Sequence, residues 1–213
     1  PFVLDSANSK EVVLTPNAKW GGNVLGDTKV KLDKLVFKQT IDVETAYQAF
    51  EAGEGDDAPV PAGKYADAQA AYPQNTITTT NVGSYYFDFG EDDPQVGGPD
   101  NVKLRQAISL AIDRDEINQK VYEDTRPIAT GIVPPGIPGY KKDICEFCDL
   151  DVDKAKDLMA EWEADGGKLT SPIKINFNEG GSHGDVATII QANLKDNLGI
   201  DAEIAGVAED YFV

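Results

Sequence analysis

Residues 101–117 read NVKLRQAISLAIDRDEI, and residues 126–140 read RPIATGIVPPGIPGY. In the first run Leu104, Ile108, Ala111 and Ile112 recur at the i, i+4, i+7, i+8 spacing of one helix face, with Arg105 and Gln106 on its flanks. That face must be buried. Asp113 stands where one helix can end and Asp115, Glu116 and Ile117 can open the next. Its carboxylate is therefore placed to cap free N–H groups, while Arg114 reaches a nearby carboxylate or carbonyl. In the second run Pro134-Pro135-Gly136 and Pro138-Gly139 force a turn-rich path, because each proline disfavours the α conformation in the residue before it. Helix, junction and turns read as structural, not as a ligand contact.

Upstream, Glu11 to Leu14 and Lys34 to Lys38 carry strand composition, and Val43 to Ala52 has the pattern of a helix that Gly53 stops. Ala62 to Ala71 is a weaker helix that ends near Pro73. Thr76 to Thr80 and Ser84 to Phe89 are rich in β-branched and aromatic residues and read as two strands, or one bent at Gly83. Glu91 to Asn101, with Pro94, Gly97, Gly98 and Pro99, is the most loop-like segment.

Downstream, the pattern predicts a helix over Val152 to Ala164 opened by Asp151 or Asp153, a strand over Ile173 to Phe177, a helix over Asp185 to Asn197 and a strand over Ala202 to Ile204. Gly199 suits the helix C-cap. A strand, helix, strand order with a Gly-rich first turn implies parallel pairing with a right-handed crossover. Ligands gather at the carboxyl ends of strands in such units, so the loop from Asn178 to Gly184 is the best cleft-facing candidate. Its glycines allow close backbone approach, and the helix after it can present N–H groups to an anion such as a peptide carboxylate. Gly180 and Gly181 are not a phosphate loop, since no GK[ST] follows.

The ordered series of segments is more specific than any single motif. Besides 101–117 and 126–140 it comprises FVLDSANSKEVVLTPNAKWGG (2–22), VKLDKLVFKQTIDVETAYQAFEAGEGD (30–56), DLDVDKAKDLMAEW (149–162), SPIKINFNEGGSH (171–183) and LKDNLGIDAEI (194–204). Together they resemble extracellular solute-binding protein family 5, the peptide-binding and nickel-binding components of ABC importers. The resemblance spans almost the whole chain. It implies an α/β (mixed α+β) lobe of the periplasmic binding protein type II kind, with a mixed sheet flanked by helices. Segment 91–101 then joins two parts of one lobe and is not a domain boundary.

Family members are more than twice as long, so the 213 residues are expected to be a single ligand-binding lobe, the second, of a larger bilobal protein. An export signal and lipid anchor are expected upstream of Pro1, giving an extracytoplasmic location. The implied function is capture of oligopeptides by two-lobe closure and delivery to ABC permease subunits, as a monomer. The alternatives are a nickel chelate, haem or sugar ligand, or a sensory lobe without transport.

In the oligopeptide-binding branch a histidine before the corresponding helix can meet the ligand's carboxyl end. The match places His183 there, the only histidine of the chain. Asn178 and Ser182 join it as candidate ligand contacts from the same loop. Where the family often has a cleft-lining tryptophan just before the aromatic pair Tyr211-Phe212, this chain has Glu209, a fourth candidate.

Cys145 and Cys148 form CEFC, a spacing used by redox proteins and by half of many zinc sites. No second CxxC or nearby histidine completes a zinc set, and the first cysteine opens no helix. For an exported protein the expectation is a short structural disulfide bracing the loop before helix 152–164.

Charge and motif content narrow the classes further. With 37 Asp and Glu against 19 Lys and Arg, the surface repels phosphate backbones and anionic lipid, which disfavours nucleic acid as a partner. Glu54, Asp56 and Asp57, and Glu91, Asp92 and Asp93, read as solvated turns without the spaced ligands of a calcium loop. No GxSxG or HExxH is present, so no catalytic residues, metal site or cofactor are expected.

Overall fold

The structure is a computed structural model that describes residues 1–22, 30–39, 42–79 and 82–208. The chain folds as two compact units, Pro1–Val60 and Pro61–Val213. In the first, β1 (Phe2–Ala7), β2 (Glu11–Pro16) and β3 (Leu35–Lys38) form an antiparallel sheet in the order β1-β2-β3. The β1–β2 turn is set by Asn8, whose side-chain oxygen accepts from the N–H groups of Lys10 and Glu11. Register pairs Val13 with Val36 and Leu14 with Leu35, and Val13 is buried. Helix α1 (Val43–Glu51) follows, capped by Asp42 accepting from the Thr45 N–H at 2.7 Å. Gly53, with φ 78°, supplies the left-handed step that ends it.

The second unit holds α2 (Tyr65–Ala71), α3 (Val102–Ala111), α4 (Arg114–Tyr122), α5 (Val152–Ala164), β4 (Ile173–Asn178), α6 (His183–Leu198) and β5 (Ala202–Val207). Strands β4 and β5 pair in parallel, as the strand, helix, strand pattern requires, and Gly199 closes α6 at φ 70°. Helix α6 packs on both strands and on α3, α4 and α5. The core is built from Leu104 and Ile108 of α3, Trp162 of α5, Ile173 and Ile175 of β4, and Val186, Ile190 and Leu194 of α6. Leu104 and Ile108 come from the predicted face of 101–117; Ala111 is also buried, and Ile112 packs against this core as a partly buried residue. The antiparallel and parallel pairings implied by the resemblance are divided between two sheets.

The helix junction is knitted by polar side chains. Asp113 caps α4 by accepting from the Glu116 N–H at 2.8 Å. Arg114 donates to the carbonyls of Ser109, Ile112 and Cys148, closing the C-terminal turn of α3 and tying it to the loop containing the Cys145–Cys148 disulfide. Asn193, buried in α6, accepts from the Asp113 N–H at 2.8 Å and donates to the Glu116 carboxylate at 2.9 Å. Asn197 donates to the Ala111 carbonyl at 2.8 Å. Both polar atoms of the Asn193 side chain are thereby satisfied, which keeps its burial from being costly.

Three readings are corrected. Residues 76–79 and 84–89 form no strand. The Thr76 N–H and hydroxyl both donate to the Tyr72 carbonyl, continuing the end of α2, and Ser84 donates its hydroxyl to the Ile132 carbonyl. β-Branched and aromatic composition without a partner strand gives no ladder. Strand β1 is an addition to the predicted elements. Segment 91–101 contains a 3-10 turn, Pro99–Asn101, and is fastened to α3 by Arg105 donating to the Val96 and Gly98 carbonyls.

Candidate ligand-binding site

The loop between β4 and α6 lies at the carboxyl ends of the two parallel strands, where Glu179 donates its N–H to the Val207 carbonyl. Gly180 and Gly181 have φ of 98° and 55°, so the turn depends on conformations that side chains disfavour. Phe177 lies against Gly184 and, more tightly, against Gly206, where a Cβ would meet its ring at 3.3 Å. One aromatic side chain of β4 thus touches both β5 and the start of α6.

Ser182 is the N-cap residue of α6, but its hydroxyl makes no cap hydrogen bond; it donates to the Tyr122 hydroxyl at 3.3 Å. The first N–H groups of α6 are left without a side-chain cap, at the positive end of a 16-residue helix. His183 stacks on Tyr85, with ring centroids 5.4 Å apart, and its Nδ1 lies 2.9 Å from the Tyr85 hydroxyl. Phe87 packs edge-on against Tyr85. Burial, reinforced by Tyr122 and opposed by Arg126, pushes the Tyr85 hydroxyl up to about 12, so it keeps its proton at neutral pH. The Tyr85 hydroxyl engages Nδ1 and leaves Nε2 free of this bond.

Tyr122 closes α4 and is buried, and the Arg126 guanidinium sits 3.7 Å from its ring centroid. Between them Glu123 and Asp124 adopt left-handed φ of 52° and 56°. Glu123 also reaches back to accept from the N–H groups of Tyr65 and Ala66, capping α2 from a distance.

Of the four sequence-derived ligand contacts, Ser182 and His183 belong to this cluster. Asn178 ends β4, half-buried, and among the described residues no hydrogen bond joins its side chain to the cluster. Glu209 and the pair Tyr211-Phe212 lie outside the described residues. Tyr85, Tyr122 and Arg126 were not singled out from the sequence. The run SYYF around Tyr85 carries a signal, aromatic density beside a turn, but that composition equally suits a strand. A separate recess of about 670 Å³ opens at the other end of β4 and β5, lined in part by Met159, Lys168, Leu169 and Asp201. It faces away from the strand ends that form crevices in parallel α/β units. Among the described residues no three metal-ligating side chains converge, and no helix is long and apolar enough to cross a membrane.

Solved structures of the type II periplasmic binding protein class share this fold, the parallel βαβ unit and its glycine-rich loop included. OppA of Burkholderia pseudomallei superposes with a TM-score of 0.78 at 20% identity, over 99% of this chain and 42% of that one. The oligopeptide-binding protein AppA of Bacillus subtilis, solved in complex with a nonapeptide, gives 0.75 at 26% identity, over 100% of this chain and 43% of that one. Residues 1–212 match the family described as bacterial extracellular solute-binding proteins, family 5 Middle, and the chain belongs to that family. Among its curated relatives, the dipeptide-binding protein DppE of Bacillus subtilis is 30% identical over 191 residues, which is 86% of this chain and 34% of the relative. The chain spans about a third of the length of the curated relatives it matches.

Proposed function

We propose that this chain is one ligand-binding lobe of a bilobal substrate-binding protein that captures oligopeptides outside the cytoplasm and delivers them to the permease of an ABC importer. The observation that carries this reading is the Ser182–His183 end of α6, presented at the strand ends with the His183 ring stacked on Tyr85 and bonded to its hydroxyl. A peptide carboxylate suits such a place: uncapped helix N–H groups favour negative charge, and the Nε2 edge of His183, free of the Tyr85 bond, can turn an N–H to it. Relatives named for dipeptides and oligopeptides support the ligand class. Closure of a second lobe over the ligand supplies the remaining contacts and shifts the open–closed equilibrium by their difference in free energy. The protein acts as a monomer, performs no chemistry on its ligand, and is held at the cell surface or in the periplasm.

The test is mass spectrometry of small molecules released by denaturing the full-length protein purified from its native host. Peptides of mixed sequence support the proposal. A single non-peptide solute, such as haem, a metal chelate or a sugar, overturns the ligand class and leaves the lobe architecture. With peptide binding established, His183→Ala is expected to weaken it about tenfold, the loss of one charge-assisted hydrogen bond, measured by calorimetry.

A further inference from the structure

Arg126 is exposed, and its guanidinium is held by stacking on Tyr122. Among the described residues no carboxylate pairs with it, although the chain carries 37 acidic side chains. A ring face holds the guanidinium plane while leaving its edge N–H groups free, which is the geometry that receives a carboxylate through two parallel hydrogen bonds. The turn that delivers it is fixed: Glu123 and Asp124 sit in left-handed conformations, and the Arg126 N–H donates to the Asn118 side chain at 3.3 Å. The same Tyr122 that supports Arg126 accepts the Ser182 hydroxyl, and Ser182 precedes His183. The positive charge is felt as far as the Tyr85 hydroxyl, the partner of His183.

We infer that Arg126 is a specificity-determining residue of this site, whose guanidinium receives a carboxylate of the ligand and makes the protein select free acids over ligands whose carboxyl group is blocked. The inference rests on the loop 178–184 being ligand-facing. Stacking alone is a structural role that Arg126 fills whether or not a ligand is bound. The two roles differ in what they do to ligand choice. A structural cation affects every ligand alike; a carboxylate receptor affects only those that carry the carboxylate.

The experiment uses the full-length protein and alanine peptides of two to five residues, each as the free acid and as the C-terminal amide, with affinities measured by isothermal titration calorimetry. The wild type is expected to prefer the acids. Arg126→Gln is expected to lower affinity for the acids about tenfold or more and to leave the amides unchanged, so that the acid-to-amide ratio falls toward one, with Arg126→Lys between the two. A circular dichroism melt of each variant checks the fold. If Arg126→Gln lowers both series equally, or neither, the inference is overturned, while a loss on His183→Ala in the same assay keeps the site reading. If His183→Ala is also silent, or no peptide binds the wild type, the site reading itself fails and takes the inference with it.

Discussion

At the residue scale the unusual group is Tyr85. Its ring is stacked on the His183 imidazole, its hydroxyl is bonded to Nδ1, and burial raises that hydroxyl to about 12. Its ring signals in an NMR titration are expected to stay constant to about pH 11, where an ordinary tyrosine is already mostly ionised. Tyr85→Phe retains the stack but loses the hydrogen bond that orients the imidazole, and is expected to weaken ligand binding less than His183→Ala. Glu116 shows a different logic. Hydrogen bonds from Lys120 at 2.6 Å and Asn193 at 2.9 Å hold its carboxyl below the ordinary value of 4.5. A carboxyl lowered on folding contributes stability that is complete above the unfolded value and is lost as pH falls through the folded one. The stability difference between wild type and Glu116→Gln, from urea melts, is expected to be constant from pH 7 to about 5 and to shrink below 4.5.

At the element scale the packing of α5 against its own C-terminal turn is unforgiving. A Cβ on Gly167 would overlap the Trp162 indole, which is buried and donates from Nε1 to Asn101 at 3.0 Å. Gly167→Ala is expected to destabilise by about 1–3 kcal/mol, read from a urea midpoint, because neither the ring nor the turn has room to move. Helices of this kind were legible in the sequence. The periodicity of Leu104 and Ile108, the cap residues Asp113 and Asp151, and Gly199 each act through contacts within a few positions, and each occupies the role its local pattern implies. The segment around Tyr85 was not legible. Its composition suits a strand, but strand formation needs a partner, and no local feature records that Ser84 would bond to Ile132, 48 positions away. For the same reason Arg126 escaped notice: its role comes from Tyr122 and, through it, from Ser182, 60 residues downstream of that tyrosine. The capping of α2 by Glu123, at a separation of 58, is another such remote contact.

At the scale of the whole molecule, the two units differ in how much they bury. Among the described residues, the buried apolar side chains of Pro1–Val60 are Val13 and Tyr47, whereas Pro61–Val213 encloses the large cluster that includes Leu104 and Leu194. Amide hydrogen exchange is therefore expected to be faster throughout β1, β2, β3 and α1 than in α3, α5 and α6, by two orders of magnitude or more, since protection follows the local free energy of opening. Equal protection in both units would show that the first draws its stability from something besides its own core.

Helix α6 is anchored from its C-terminal half, where Asn193 and Asn197 grip the α3–α4 junction, while Ser182 and His183 sit ten or more positions earlier. At 1.5 Å per residue that is a distance of about 15 Å. The side chains that fasten the helix to the junction and the Ser182–His183 pair thus lie at opposite ends of one rod, with Val186 and Ile190 buried in the core between them. Under the proposed function, replacements confined to Ser182 and His183 can accumulate while the buried and anchored turns stay intact, so a lineage carrying this helix can change its diet without having to reinvent its scaffold.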